Sequence, residues 1–155
     1  MNSSSPALSQ FNIQSSHELT WNVTPLLHQI RHALDDLFAH GKNEVIDLRS
    51  MPLAPGEEDK LLEILGQGEI KATLNALGPS EIIETRYAGV WIVTHFNEER
   101  DILSRHIEIT LIPGILLSQK EDINHAREQL ANSLNEVNQD ENHNEQTLTE
   151  RVDHE

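Results

Sequence analysis

The chain has no cysteine among its 155 residues. A disulfide scaffold, a thiolate zinc or iron–sulfur site and a cysteine nucleophile are therefore excluded. Positive charge is scarce too. Eleven Lys and Arg stand against 26 Asp and Glu, a formal net charge of −15 with His neutral. Phosphate binding needs Lys and Arg to replace counterions, so this balance argues against nucleic acid as the main ligand. It argues equally against an anionic membrane surface. No apolar run approaches the ~20 residues that span a bilayer. Residues 1–11 have neither a basic region nor an apolar segment, so no signal peptide is read there. A soluble cytoplasmic protein is the expectation. The length suits one domain, or two only if both are very small.

Apolar residues make up 37% of the chain, which is low for a compact domain, and the deficit is uneven. Residues 1–20 are rich in Ser, Asn and Gln, and they read as a disordered N-terminal tail. From about Asn132 the chain is mostly Asn, Gln, Asp, Glu and His. Between Glu136 and Glu155 stand seven acids and one base, with only Val137, Leu148 and Val152 to bury. Such a segment does not offset its ordering entropy, so residues 133–155 are expected to form a disordered acidic tail. The remainder, 21–132, reads as a single domain.

Within it, Thr24 followed by Pro25 reads as an N-cap and first helical residue. Leu27, Ile30, Leu34, Leu37 and Phe38 recur at helical spacing, and Gly41 supplies the stop. A helix is expected over 25–40. A short strand follows at 44–48, then a loop with two prolines, then a helix over 57–65 with acids in its first turn, where the helix dipole favours them. Further strands are expected over 69–75, 81–87, 90–96 and 103–111, with Gly78-Pro79-Ser80 as a turn. The run 90–96 is apolar on both faces and suits a central strand. Ile107, Ile109 and Leu111 alternate onto one face. A last helix is expected over 115–132 with a thin apolar stripe. Short turns between strands imply an antiparallel meander of four to five strands, with the helices packed on one face: an α+β domain.

Few constellations suggest chemistry. His28, His32, Asp36 and His40 form one stripe on the first helix, and histidines at i and i+4 can bind a metal. Residues 28–32 resemble the zinc-protease pattern, but Gln29 stands where that pattern needs its glutamate base. The stripe reads first as the solvent face, with metal delivery as the alternative. His95 and His106 fall on neighbouring strands with Glu108 nearby. A general base can be built from such residues, and a packed sheet histidine explains them as well. No phosphate-binding glycine loop and no nucleophile elbow are present.

Two stiff loops remain, one around Arg49, Met51, Pro52, Leu53 and Pro55, the other around Leu77, Gly78, Pro79 and Glu81. Structural turns and binding loops explain both equally well. The stretch Ile46-Asp47-Leu48-Arg49-Ser50-Met51-Pro52-Leu53-Ala54-Pro55-Gly56-Glu57-Glu58 resembles the HupH/HyaF hydrogenase expression/formation proteins. So do Leu74-Asn75-Ala76-Leu77-Gly78-Pro79-Ser80-Glu81-Ile82, Ala88-Gly89-Val90-Trp91-Ile92-Val93-Thr94-His95, Ile107-Glu108-Ile109-Thr110 and Ser118-Gln119-Lys120-Glu121-Asp122-Ile123. The likeness covers about 26–123 and looks like the C-terminal region of longer members. It implies a non-enzymatic accessory chaperone or scaffold for maturing uptake [NiFe] hydrogenase. Such a factor binds an immature hydrogenase subunit or another maturation protein, with no cofactor of its own. The expected partner surface is Arg49, Met51, Pro52, Leu53, Pro55, Gly78, Pro79 and Glu81, with Trp91 and His95 in second rank. Self-association stays open.

Overall fold

A computed structural model of the chain describes residues 22–76 and 78–152. The expected tail 1–20, Trp21 and Leu77 lie outside the described residues. The elements are α1 (Val23–His40), β1 (Glu44–Asp47), a 3-10 turn (Leu48–Ser50), α2 (Glu57–Leu65), β2 (Lys71–Ala76), β3 (Gly78–Glu84), β4 (Val90–Phe96) and β5 (Ile102–Ile109). A 3-10 turn (Gly114–Leu116) and α3 (Lys120–Val152) follow. The chain divides at Pro113/Gly114 into two compact units.

The first unit is an α+β domain. Its five strands form one antiparallel sheet in the order β1-β5-β4-β3-β2. Strands β2 to β5 are the expected meander, and β1 closes the far side against β5. In that register Val90 and Ile92 of β4 share a face with Ile107 and Ile109 of β5. The core forms where this face meets Val23, Leu26, Ile30, Ala33 and Leu37 of α1 and Leu61 and Leu65 of α2. Each isoleucine buried there contributes about 2 kcal/mol of transfer free energy. The opposite sheet face carries Ile82, Trp91 and Val93, all buried, and then His95, His106 and Glu108.

Several boundaries differ from the sequence reading. Helix α1 starts at Val23, and its buried residues recur at 23, 26, 30, 33 and 37. Leu27 and Leu34 flank that stripe, half-buried. Phe38 lies outside it and is 95% exposed. Pro25 still sits in the first turn, where no intrahelical N–H is lost. Gly41 does end the helix, in the left-handed conformation, with its N–H on Leu37 O. Strand β3 begins at Gly78, so Gly78, Pro79 and Ser80 belong to a strand and not to a turn. Strand β5 ends at Ile109, which leaves Leu111 78% exposed.

The last helix passes its expected end at Asn132 and runs to Val152. The backbone is helical across 133–152. The physical reason is propensity: no Gly or Pro interrupts the chain after Gly114, and Glu, Gln, Leu and Ala favour the helix. Its side chains over 120–139 are exposed, including the stripe at Ile123, Leu130, Leu134 and Val137.

Candidate functional site

The antiparallel register puts the end of β1, the starts of β3 and β5 and the end of β4 at one end of the sheet. The Arg49 loop and the start of β3 therefore arrive at this end, one on each side of the β4–β5 hairpin. The hairpin closes through Asn97, whose Oδ1 accepts from Asp101 N at 2.7 Å and whose Nδ2 donates to Asp101 Oδ2 at 3.1 Å. Arg100 adopts φ 69° to complete the turn.

The Arg49 loop is held from within. Asp47 Oδ1 accepts from Arg49 N at 2.9 Å, and Ser50 Oγ donates to Asp47 O at 2.7 Å, which caps the 3-10 turn. The Arg49 side chain is exposed and Nη1 donates to Leu103 O, which ties the loop to the start of β5. Met51 and Leu53 of the expected partner surface are half-buried and pack against the core, while Pro52 and Pro55 are exposed. Pro52 O accepts from Asn22 Nδ2 at 2.7 Å.

On the other side, Gly78 has φ 95°, and a Cβ there would stand 2.2 Å from Phe96 O. Only glycine allows β3 to start this close to the end of β4. Pro79 is half-buried opposite Asn75. Glu81 points to the helix-covered face and pairs with Lys71 at 3.5 Å.

Sequence reasoning missed the residue that joins the two sides, Arg105. Its Nη1 donates to Glu58 Oε1 at 2.7 Å and its Nε to Thr94 Oγ1 at 3.1 Å. Arg105 lines two clefts. One, of about 290 Å³, is walled by Leu48, Arg49, Glu58, Asp59 and Ile102. The other, of about 360 Å³, runs under α2 past Leu62, Ile83, Ile92 and Phe96 to Glu81. The two clefts meet at Arg105, and together their lining runs from Arg49 to Glu81. Ile102 lines the first of them, and Ile102 and its neighbour Leu103 are 47% and 50% exposed. The signal for Arg105 was present: alternation carried back from Ile107 puts it on the core-facing side, where a cation needs partners.

The second-rank residues lie on the opposite sheet face. Trp91 is buried, and its Nε1 donates to Thr110 O at 3.1 Å. His95 Nδ1 and Ser80 Oγ share a hydrogen bond of 2.8 Å. The His95 and His106 rings lie 5.5 Å apart at 34°, and His106 Nε2 meets Glu108 Oε1 at 3.0 Å. The histidine stripe on α1 is solvent-facing: His28, His32 and His40 are exposed. Asp36 bonds Lys42 Nζ at 2.9 Å instead, and that hydrogen bond holds its carboxyl below the usual range. Among the described residues no group of three His, Asp or Glu is arranged to hold a metal ion. Among the described residues no helix is long and apolar enough to cross a membrane.

Residues 20–137 match the family described as HupH hydrogenase expression protein, C-terminal conserved region. The chain belongs to that family. The solved structure of the hydrogenase expression protein HupH from Thiobacillus denitrificans is similar over 76% of this chain and 98% of its own, with 33% identity and a TM-score of 0.73. Two relatives named hydrogenase expression/formation protein HoxQ are also similar. The one from Azotobacter vinelandii is 29% identical over 85 residues, and the one from Cupriavidus necator is 27% identical over 90. These matches take in 55% and 58% of this chain but only 30% and 32% of the relatives. The chain spans about a third of the length of the curated relatives it matches. The HupH C-terminal region is thus the part that carries the surface from Arg49 to Glu81.

Proposed function

We propose that the protein serves hydrogenase maturation in the cytoplasm as a non-catalytic holding factor. It docks an immature hydrogenase subunit, or another maturation protein, on the surface from Arg49 to Glu81. Family membership supports the process, and the surface supports the mode. The observation that carries the reading is the meeting of the Arg49 loop and the start of β3 at one end of the sheet, beside the exposed Ile102 and Leu103. A protein client is recognised well by such a surface. Its backbone is already fixed by Asp47, Asn97 and Gly78, so little order must be gained on docking. Exposed Arg49 offers a fork that suits a client carboxylate or carbonyl. Apolar rim residues add area without a deep pocket.

The test is affinity capture from cells expressing a hydrogenase operon. Wild type is expected to recover a hydrogenase subunit or a maturation protein. Arg49→Glu combined with Ile102→Asp is expected to recover at least tenfold less while its circular dichroism is unchanged. Recovery of no hydrogenase component with wild type overturns the reading.

A further inference from the structure

The sheet has two edges, and they are built differently. Strand β1 is four residues long, with an acid at each end, and Gln29 of α1 donates to Glu44 at 2.8 Å. Shortness and charge are the usual protections of an edge. Strand β2 is six residues long, and its register with β3 runs without a break from Lys71↔Ile83 to Ala76↔Gly78. It has no proline and no acid. Its one charge, Lys71, is turned to Glu81. Among the described residues nothing pairs with its outer side, and Lys71, Thr73, Leu74 and Asn75 are exposed.

The hydrogen-bond phase is known. Glu84 N donates to Ile70 O at 2.9 Å, so residues 70, 72 and 74 turn their backbone groups to β3. Antiparallel alternation then turns the N–H and C=O of Lys71, Thr73 and Asn75 outward.

We propose that β2 pairs with β2 of a second copy, antiparallel about a two-fold axis at Thr73, which joins two sheets into one. At that register Thr73 bonds Thr73 reciprocally, and Lys71 stands opposite Asn75. Threonine pairs are favourable across strands, and no like charges meet. Ala72 lies beside Leu74 of the other copy, which covers an exposed apolar side chain. A two-fold centred on Lys71 would oppose two ammonium groups, so Thr73 is the centre that keeps the whole segment paired. The edge is complementary to itself at this register, and that decides for a second copy: Thr73 meets Thr73, Lys71 meets Asn75, and β2 carries no acid, so the mutual repulsion of two chains of −15 is weakest along this strip.

Sedimentation equilibrium of the full chain tests this. Wild type is expected at twice 17.6 kDa. Thr73→Lys puts two cations face to face and is expected to sediment as a single chain with an unchanged circular dichroism spectrum. In a protein with no native thiol, Thr73→Cys is expected to crosslink to itself with a short bismaleimide, independently of how Thr73→Lys folds. A single-chain wild type that gives no Thr73→Cys crosslink overturns the proposal, as does a dimer that Thr73→Lys leaves intact. A monomeric wild type whose client capture is lost in Thr73→Lys also overturns it, and assigns the edge to an extended segment of that client.

Discussion

The two ends of the sheet differ in how their backbone and side chains are used. At the end that carries Arg49 and Gly78, the chain turns sharply, and side chains of Asp47, Ser50 and Asn97 bond the turns. At the opposite end, α1 stops at Gly41 and β5 stops at Ile109, and both leave large apolar side chains outside. Phe38 and Leu111 line an open hollow of about 730 Å³ with Leu34, Leu37, Ala88 and Gly89. One end is stiff with an apolar rim; the other is smooth and oily. The contrast separates stiffness from stickiness as properties of a surface, and the docking proposed above relies on the first, because little backbone order must be gained there.

Four substitutions sharpen this contrast. The largest effect is expected from a pair of left-handed glycines. Gly78→Ala combines a positive φ with a Cβ 2.2 Å from Phe96 O, and is expected to cost about 3 kcal/mol in urea unfolding. Gly41→Ala at the other end meets nothing within 4 Å, and its cost is expected near 1 kcal/mol. Equal costs would mean that the Gly78 approach to β4 is not a structural constraint. Next comes Arg105→Met, which removes the bonds to Glu58 and Thr94. Because Glu58 is 40% exposed, solvent screening limits the loss to about 1 kcal/mol, while client capture is expected to fall severalfold. Phe38→Ser is expected to change stability by less than about 0.5 kcal/mol and to leave client capture intact. A loss of capture would move the docking surface to the smooth end.

The smallest effect concerns Asp36 and Lys42. The hydrogen bond and charge of Lys42 lower the Asp36 pKa, and Asp36 in turn raises that of Lys42. The aspartate's contribution is present above the ordinary carboxylate range and is lost as pH falls through the lowered value. The lysine's contribution is present below its ordinary range and is lost as pH rises through the raised value. Lys42→Met is expected to return Asp36 to ordinary titration, read by NMR of its carboxyl carbon, with no measurable change in melting temperature.

Much of the fold was legible because its punctuation is local. The strand β4 and the helix α2 read to the residue from an apolar run and from a proline-glycine loop followed by acids. The strand start at Gly78 did not. Proline in a strand is costly only where its missing N–H is needed, and pairing of β3 with β4 begins at Ser80. That depends on a neighbour distant in sequence. Phe38 fits the helical period as well as Leu37 does, and only the angle of α1 against the sheet separates them. The extent of α3 was misjudged for a different reason: hydrophobic burial and helix propensity disagree there, and composition speaks only to the first. At the site, Arg49 and Gly78 were visible through their proline and glycine neighbours. For Arg105 the alternation of β5 gave its face, but not its partners Glu58 and Thr94, which are close to it only after folding.

Helix α2 is fastened at both extremities. Near its beginning Glu58 receives the guanidinium of Arg105, and at its end Leu65 O accepts from Arg86 N at 3.0 Å. Both contacts oppose a sliding of α2 over the cleft of Leu62, Ile83 and Ile92. In the docking proposed above, clients are then told apart by how long they stay and not by how far the protein yields to admit them.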